Sequence, residues 1–253
     1  MTGNEWQRTA VVTGGSTGVG LAIASRLVED GYRVAIVARD KQRLQAAIAQ
    51  LGEGTIGYAA DLGVRCDVEA AVAAIVAQWP RIDVLVNNAG RTRCVNAQTD
   101  AALAEAAWDA VLDANLKSMF LMTMAMLPHL SERAARIVNV GSIASRGGNL
   151  LPGGLAYAAA KTGVEGLTVA LARELGPCGV TVNMVASGHN VDTHFLSDRG
   201  VALDIAATIR DQTPAGRAGH PDDVADAVAW LAGPRASFVT GATVAVNVGW
   251  RVG

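Results

Sequence analysis

The stretch GLAYAAAK, residues 154–161, sets Tyr157 and Lys161 four positions apart with only alanines between them. In a helix, positions i and i+4 share a face, so the phenol and the ammonium come together. A tyrosine phenol has a reference pKa of about 10, too high for general acid–base work near neutrality. An adjacent ammonium stabilises the phenolate and lowers that value. Bringing it toward neutrality takes roughly 3–4 kcal/mol of differential stabilisation. A surface helix with an amphipathic pair would carry the same two residues, so the rest of the chain must decide.

A second place with chemistry is TGGSTGVG, Thr13–Gly20, lying between a β-branched run and a helical pattern. Its glycines permit a tight turn and let backbone N–H groups approach a phosphate. The helix that follows favours negative charge at its N-terminus. Gly14, Ser16, Thr17, Gly18 and Val19 are therefore candidates to hold a dinucleotide. The spacing is G-x-x-x-G-x-G, not the usual G-x-G-x-x-G. The next β-branched run ends Val37–Ala38–Arg39–Asp40. An acidic residue at such a strand end grips a ribose 2′-OH, whereas an arginine accommodates a 2′-phosphate. Arg39 thus favours NADP(H) over NAD(H), with Asp40 next door as the opposing signal. Asp61 and Leu62, after the third run, are candidates for adenine contact. Asp67 is a rival, but it falls in the following helical pattern.

These residues need a scaffold. Strands are expected at Ala10–Thr13, Arg33–Val37, Thr55–Ala60, Val84–Asn87, Arg136–Val140, Val180–Val185 and Thr243–Val246. Helical patterns fill the intervals, at Gly18–Asp30, Lys41–Leu51, Val68–Gln78, Ala101–Leu130, Leu155–Leu175 and Asp222–Leu231. Strands apolar on both faces, alternating with helices, predict an α/β fold: a Rossmann-like, doubly wound parallel sheet of about seven strands covered on both sides. No linker or repeat divides residues 1–253, so one domain is expected, with a weakly patterned insertion at about 188–217.

Hydrophobic residues make up 51% of the 253 positions and charged residues 17%, enough for a large core. Net charge is −2 with scattered basic residues, which excludes the basic stripe of a nucleic-acid binder. Cys66, Cys94 and Cys178 form no metal-binding spacing and read as buried free thiols. The start, MTGNEWQRTA, has no apolar signal core, and MFLMTMAMLPHL from Met119 is short and broken by Pro128. A cytoplasmic protein that does not cross a membrane is expected.

Taken in order, the motifs resemble those of the short-chain dehydrogenase/reductase family, from Thr9 to Gly249. TGGSTGVG is similar to its cofactor turn. NNAG, Asn87–Gly90, is similar to its sheet-stabilising and cofactor-lining motif, which puts Asn88, Ala89 and Gly90 at the cofactor. Asn115 in DANLKSMF, Ser142 in VNVGSIAS, and Tyr157 with Lys161 match the catalytic set. The flavour of NNAGRTR, GSIAS and TPAGRAGHPDDVADAVAWLA is that of 3-oxoacyl-carrier-protein reductase-like ketoreductases. The resemblance implies NADPH-dependent reduction of a ketone to a secondary alcohol. Tyr157 would give the proton, Ser142 would bond the carbonyl oxygen, and Lys161 would hold the nicotinamide ribose. Asn115 would place a water linking Lys161 to solvent. Ser142 as a cap and Asn115 as a helix residue bonding backbone are the plainer alternatives. In this family the helices matching Ala106–Leu130 pair between subunits, which implies a homotetramer or homodimer. No metal is required.

The chain departs from the family pattern where Pro-Gly is usual after the sixth strand. Here the text is VASGHNVDTHFL, with Ser187–Gly188 and with Thr193 one position late. Gly188 and Thr193 stay candidates for the cofactor. His189, Asn190 and His194, with Arg91 and Leu150, are candidates for the substrate; solvated loop positions are the alternative for the histidines. His220 before Pro221 reads as a helix cap. Cys178 stands where carrier-protein reductases often place a basic residue. These departures point toward another carbonyl, in secondary metabolism, beside a 3-oxoacyl or carrier-bound substrate. Two other functions fit the motifs: an NAD-dependent secondary alcohol dehydrogenase, and a non-catalytic dinucleotide-binding regulator.

Overall fold

The computed structural model describes residues 8–131, 134–147, 153–190, 211 and 213–250. Seven β-branched runs form the strands β1 (Thr9–Thr13), β2 (Arg33–Ala38), β3 (Ile56–Ala59), β4 (Val84–Asn87), β5 (Arg136–Ser142), β6 (Thr181–Ser187) and β7 (Thr243–Val246). They make one parallel sheet in the order β3-β2-β1-β4-β5-β6-β7. Among the described residues the helices are α1 (Gly18–Glu29), α2 (Lys41–Leu51), α3 (Arg65–Gln78), α4 (Ala101–Leu112), α5 (Ser118–Met126), α6 (Ala144–Gly147), α7 (Leu155–Leu175) and α8 (Pro221–Ala232).

Strand residues alternate between the two faces. Val12, Val34, Ile36 and Val138 pack with Ile23, Leu27, Leu44 and Val228, from α1, α2 and α8. Val11, Leu85, Ile137 and Val182 pack with Ile75, Met122 and Leu171, from α3, α5 and α7. Each such side chain contributes about 1.5–3 kcal/mol when fully buried. The strand order reverses between β1 and β4, which opens a crevice at the carboxyl ends of the strands.

A buried polar relay spans β4 and β5. Asn87 and Asn139 are register partners on β4 and β5. Asn87 Nδ2 donates to Asn139 Oδ1 at 2.9 Å and to Thr123 Oγ1 of α5 at 3.0 Å. Asn139 Nδ2 donates to Thr168 Oγ1 of α7 at 2.9 Å. The relay ties the sheet to the two helices that frame the site.

Three expectations are corrected. The single helix Ala101–Leu130 is broken: a π turn at Asp113–Lys117 separates α4 from α5, and a 3₁₀ turn at Leu127–His129 follows. Pro128 lacks the N–H that would continue the helix; the π turn has its cause in Asn115, described below. The short helix α6 was not anticipated. The three cysteines are exposed rather than buried. Cys66 sits on the solvent side of the first turn of α3, Cys94 in the loop after β4, and Cys178 in a 3₁₀ turn after α7. The run Ala101–His129 is long and apolar enough to cross a membrane by length and composition. Its Met119, Met122 and Met126 are packed into the core. His220 caps α8 as expected, in a capping box with Asp223.

Candidate active site

A cavity of about 790 Å³ opens along the carboxyl edge of the sheet. Its lining runs from the β1–α1 turn and the end of β2, past β4, to the ends of β5 and β6. Most of the residues singled out from the sequence meet there. Gly14, Ser16, Thr17, Gly18, Val19, Arg39, Asp61, Leu62, Asn88, Ala89, Gly90, Arg91, Asn115, Ser142, Tyr157, Lys161, Gly188, His189 and Asn190 all line it. Leu150, Thr193, His194 and most of the 188–217 insertion lie outside the described residues.

Tyr157 and Lys161 enter from the first turns of α7, and both are buried. Lys161 Nζ lies 5.6 Å from the centroid of the Tyr157 ring and donates to Val140 O of β5 at 2.8 Å. Among the described residues no carboxylate pairs with it, and burial pushes its pKa down from the ordinary lysine value to about 8. The ammonium is thus a charge held beside a phenol in a poorly solvated place.

Ser142 ends β5, opposite Ser187 of β6 in the sheet register. Its Oγ accepts from Ala144 N at 3.2 Å, at the start of α6. A hydroxyl has one donor and two acceptor sites, so this bond leaves its proton available to a substrate oxygen. The cap and the catalytic readings of Ser142 are therefore compatible.

Asn115 sits in the π turn. Its Nδ2 donates to Arg91 O at 2.6 Å and to Val111 O at 2.8 Å. The extra residue of the turn lets one side chain serve both carbonyls, and π turns recur at functional sites for such reasons. Asn115 Oδ1 is buried and has no hydrogen-bond partner among the described residues. A Cβ placed on Gly90 would lie 2.5 Å from that oxygen and 3.8 Å from Lys161 Nζ. The orphan acceptor and the ammonium thus flank one backbone edge.

At the other end, Gly14 has a φ of +65° and approaches Asn88 and Ala89 so closely that a side chain would collide. Asn88 Nδ2 donates to Thr13 O at 3.0 Å, pinning the turn to β4. The backbone is left bare ahead of the α1 N-terminus, a cradle suited to a pyrophosphate. Asp40 does not compete with Arg39. Its Oδ1 caps α2, accepting from Gln42 N at 2.9 Å and Arg43 N at 3.0 Å. Its Oδ2 lies 3.5 Å from Arg43 Nε, and no ion pair among the described residues involves Arg39. Asp61 N donates to Asp67 Oδ2 at 3.1 Å, so Asp67 orients the Asp61 segment from α3.

Arg91 lines the same cavity. Its Nε donates to Ala110 O at 3.4 Å. Burial, then the neighbouring Arg39 and Arg93, lower its proton affinity, while Asp61 and Asp113 oppose them. Sequence reasoning missed Arg43, Asp113, Ser118 and Ser187, which also line the cavity. Arg43, four residues after Arg39 at a helix start, had a readable spacing; Ser187 is visible only through the β5–β6 register.

Comparison with known proteins accords with this geometry. A family model described as Enoyl-(Acyl carrier protein) reductase matches residues 14–251. The 3-oxoacyl-[acyl-carrier-protein] reductase FabG of Vibrio cholerae is 40% identical over 245 residues, 96% of each chain. The 3-ketoacyl-(acyl-carrier-protein) reductase of Brucella melitensis, solved with NADH, superposes with a TM-score of 0.87 at 31% identity, covering 97% of this chain and 98% of that one. An actinorhodin polyketide ketoreductase variant, solved with NADPH, has a TM-score of 0.87 at 33% identity, covering 98% and 99%. With matches of this identity over nearly its whole length, the chain belongs to the short-chain dehydrogenase/reductase family.

Proposed function

We propose that this protein is an NADPH-dependent ketoreductase that converts the keto group of a 3-oxoacyl thioester to a secondary alcohol. The observation that carries this reading is the buried Lys161 ammonium, tethered to Val140 O and set against the Tyr157 ring. A buried lysine without a carboxylate weakens the fold, and such perturbed groups gather where chemistry needs them.

The residues fit the cofactor. The β1–α1 turn, with Gly14, Ser16, Thr17, Gly18 and Val19, would hold the pyrophosphate. Arg39 would take the 2′-phosphate, Asp61 and Leu62 the adenine, and Asn88, Ala89 and Gly90 the sugar edge. Gly188 would line the nicotinamide end, and Lys161 would bond the ribose there. When bound, the nicotinamide supplies a hydride to the carbonyl carbon. Tyr157 holds the proton that the carbonyl oxygen takes. Ser142 donates to the same oxygen and stabilises its developing charge. Lys161 stabilises the phenolate that Tyr157 leaves. Asn115, with Oδ1 beside the same edge as Lys161 Nζ, supports a path for proton return.

The names of the relatives support a 3-oxoacyl substrate borne on a carrier protein. Leu103, Phe120 and Met124 of α4 and α5 are exposed, which supports pairing of these helices in a homotetramer or homodimer. We place the protein in the cytoplasm. Fluorescence titration with NADPH and NADH, followed by assay with a 3-oxoacyl thioester, tests the reading. Tight NADPH binding and reduction that Tyr157→Phe abolishes are expected. Binding of neither nucleotide would overturn it, and a preference for NADH would move the reading to an alcohol dehydrogenase.

A further inference from the structure

β2 and β4 flank β1 in the sheet, so the chain leaves their carboxyl ends on either side of the β1–α1 turn. Neighbouring strands lie about 4.8 Å apart, which sets the two strands roughly 10 Å from each other. Arg39 follows β2 directly, and Arg91 follows the run Asn87–Gly90 that begins at the end of β4. Both line the large cavity. A nucleotide laid on the turn therefore passes between two arginines. The strand-end rule for a 2′-phosphate accounts for the first of them alone.

Arg91 is anchored along its length and open at its tip. Its carbonyl O accepts from Asn115 Nδ2 at 2.6 Å, and its Nε donates to Ala110 O of α4 at 3.4 Å. A guanidinium carries five N–H donors, so both Nη groups remain to bind something else. Among the described residues no carboxylate forms an ion pair with Arg91. The two acidic groups that favour its charge are engaged: Asp113 pairs with Lys117 at 3.0 Å, and Asp61 Oδ1 accepts from Gly63 N at 3.0 Å. Burial disfavours that charge, and the neighbouring Arg39 and Arg93 add to the cost. Arg39 and Asp61 are the groups assigned above to the 2′-phosphate and the adenine, so the Arg91 guanidinium lies within electrostatic reach of that end. Two cations facing one cavity repel each other, and an anion set between them removes the conflict.

We propose that Arg91 is a second arginine for the cofactor's 2′-phosphate, closing on it from the β4 side while Arg39 holds it from the β2 side. The proposal rests on the NADPH-dependent reading above and moves Arg91 from the substrate to the cofactor. It gives the choice of nucleotide two parts. NADPH brings a phosphate that both guanidinium groups can share. NADH brings none and leaves two like charges facing each other, which counts against it.

The test compares Arg91→Gln and Arg91→Lys with the wild-type protein. Kd values for NADPH and NADH, which differ only in the 2′-phosphate, are read by fluorescence. KM for one 3-oxoacyl thioester is read at saturating NADPH. Arg91→Gln is expected to raise the Kd for NADPH about tenfold, with that for NADH and the thioester KM within about twofold. Arg91→Lys keeps the charge without the planar fork and loses less. The gap between Arg91→Gln and wild type narrows in about 0.5 M salt, as a contact between charges requires. An unchanged Kd for NADPH overturns the proposal. So does an equal rise for both nucleotides, which marks a contact to the parts they share, and so does a higher thioester KM at unchanged Kd, which marks a substrate contact. If Arg91→Gln does not fold, Arg39→Ala combined with Arg43→Ala decides: a remaining preference for NADPH over NADH supports Arg91, and loss of all preference overturns it. A wild-type protein that binds neither nucleotide, or prefers NADH, overturns the NADPH-dependent reading and this one with it. Tight wild-type NADPH binding that Arg91→Gln leaves unchanged overturns this one alone.

Discussion

Lys161 donates from Nζ to the carbonyl oxygen of Val140 at 2.8 Å, which moors the buried ammonium of α7 to β5 just ahead of Ser142. The mooring holds the charge where a phenolate would form, at the expense of its hydration. Replacing Lys161 with methionine keeps much of the volume and removes the desolvated charge. A pKa lowered from 10.5 to about 8 corresponds to an energy of order 3 kcal/mol. Losing the bond to Val140 O gives back about 1 kcal/mol. Lys161→Met should therefore raise the unfolding midpoint by several degrees, at about 2–4 °C per kcal/mol for a chain this size. It should also abolish ketone reduction. Calorimetry and an activity assay check both; a lower midpoint would mean that the ammonium stabilises the fold.

Stability and activity should respond oppositely to pH. Between pH about 8 and 10.5 the unfolded chain keeps the Lys161 proton that the folded one has lost. The unfolded state then binds more protons, so this group's contribution to stability improves as pH rises through that window. Below about 8 both states are protonated and the full penalty is present. The stability gap between Lys161→Met and wild type should close as pH rises from 8 to 10.5. In the same window kcat/KM for reduction should fall, because the cation that supports the Tyr157 phenolate is lost. Denaturant titrations and a pH–rate profile measure the two trends.

Arg39 is expected to carry the choice between NADPH and NADH. Asp40 is committed to the α2 cap, and among the described residues no ion pair involves Arg39. A charge-assisted bond to a phosphate contributes about 1.5–3 kcal/mol. Arg39→Ala should raise the Kd for NADPH roughly ten- to a hundredfold while leaving that for NADH within a few-fold. Fluorescence titration with both nucleotides distinguishes this from a general loss of binding.

Much of this site was legible because its parts are local. Tyr157 and Lys161 meet through helical periodicity, and the TGGSTGVG turn is defined by glycines that lie between a strand and a helix. The strands could be read because residues such as Val11 and Val12 are buried on opposite faces of one sheet. What escaped depends on partners distant in sequence. The π turn exists because Asn115 reaches Arg91 O, 24 residues back. The Trp250–His189 stack needs the β6–β7 pairing before it can form. The cysteines were misjudged because their exposure follows from which side of a turn or helix each one faces, which composition does not encode.

The Asn87–Asn139 relay should be stabilising rather than chemical. Asn139 is buried between β4 and α7, accepting from Asn87 and donating to Thr168. Asn139→Ala would leave the Asn87 amide short of an acceptor and open a small void. Each stranded polar group costs about 1–3 kcal/mol. A loss of about 2–4 kcal/mol is expected, seen as a lower denaturation midpoint, with NADPH affinity little changed in the remaining folded protein.

Gly90 offers the sharpest steric test. A Cβ there would lie 2.5 Å from Asn115 Oδ1, far inside contact distance. Asn115 cannot readily withdraw, because its amide nitrogen is held by Arg91 O and Val111 O within the π turn. The added methyl must displace either that turn or the backbone edge that faces Lys161. Overpacking of this kind costs about 1–3 kcal/mol. Because the displaced atoms flank the ammonium, Gly90→Ala should lower kcat/KM at least tenfold. A fold of near wild-type stability should persist if the turn gives way toward the cavity. Gly166→Ala, on an open face of α7 where an added Cβ meets no atom within 4 Å, serves as the control and should leave activity unchanged. Equal activity in the two variants would show that the Asn115 turn yields freely and does not hold the site in place.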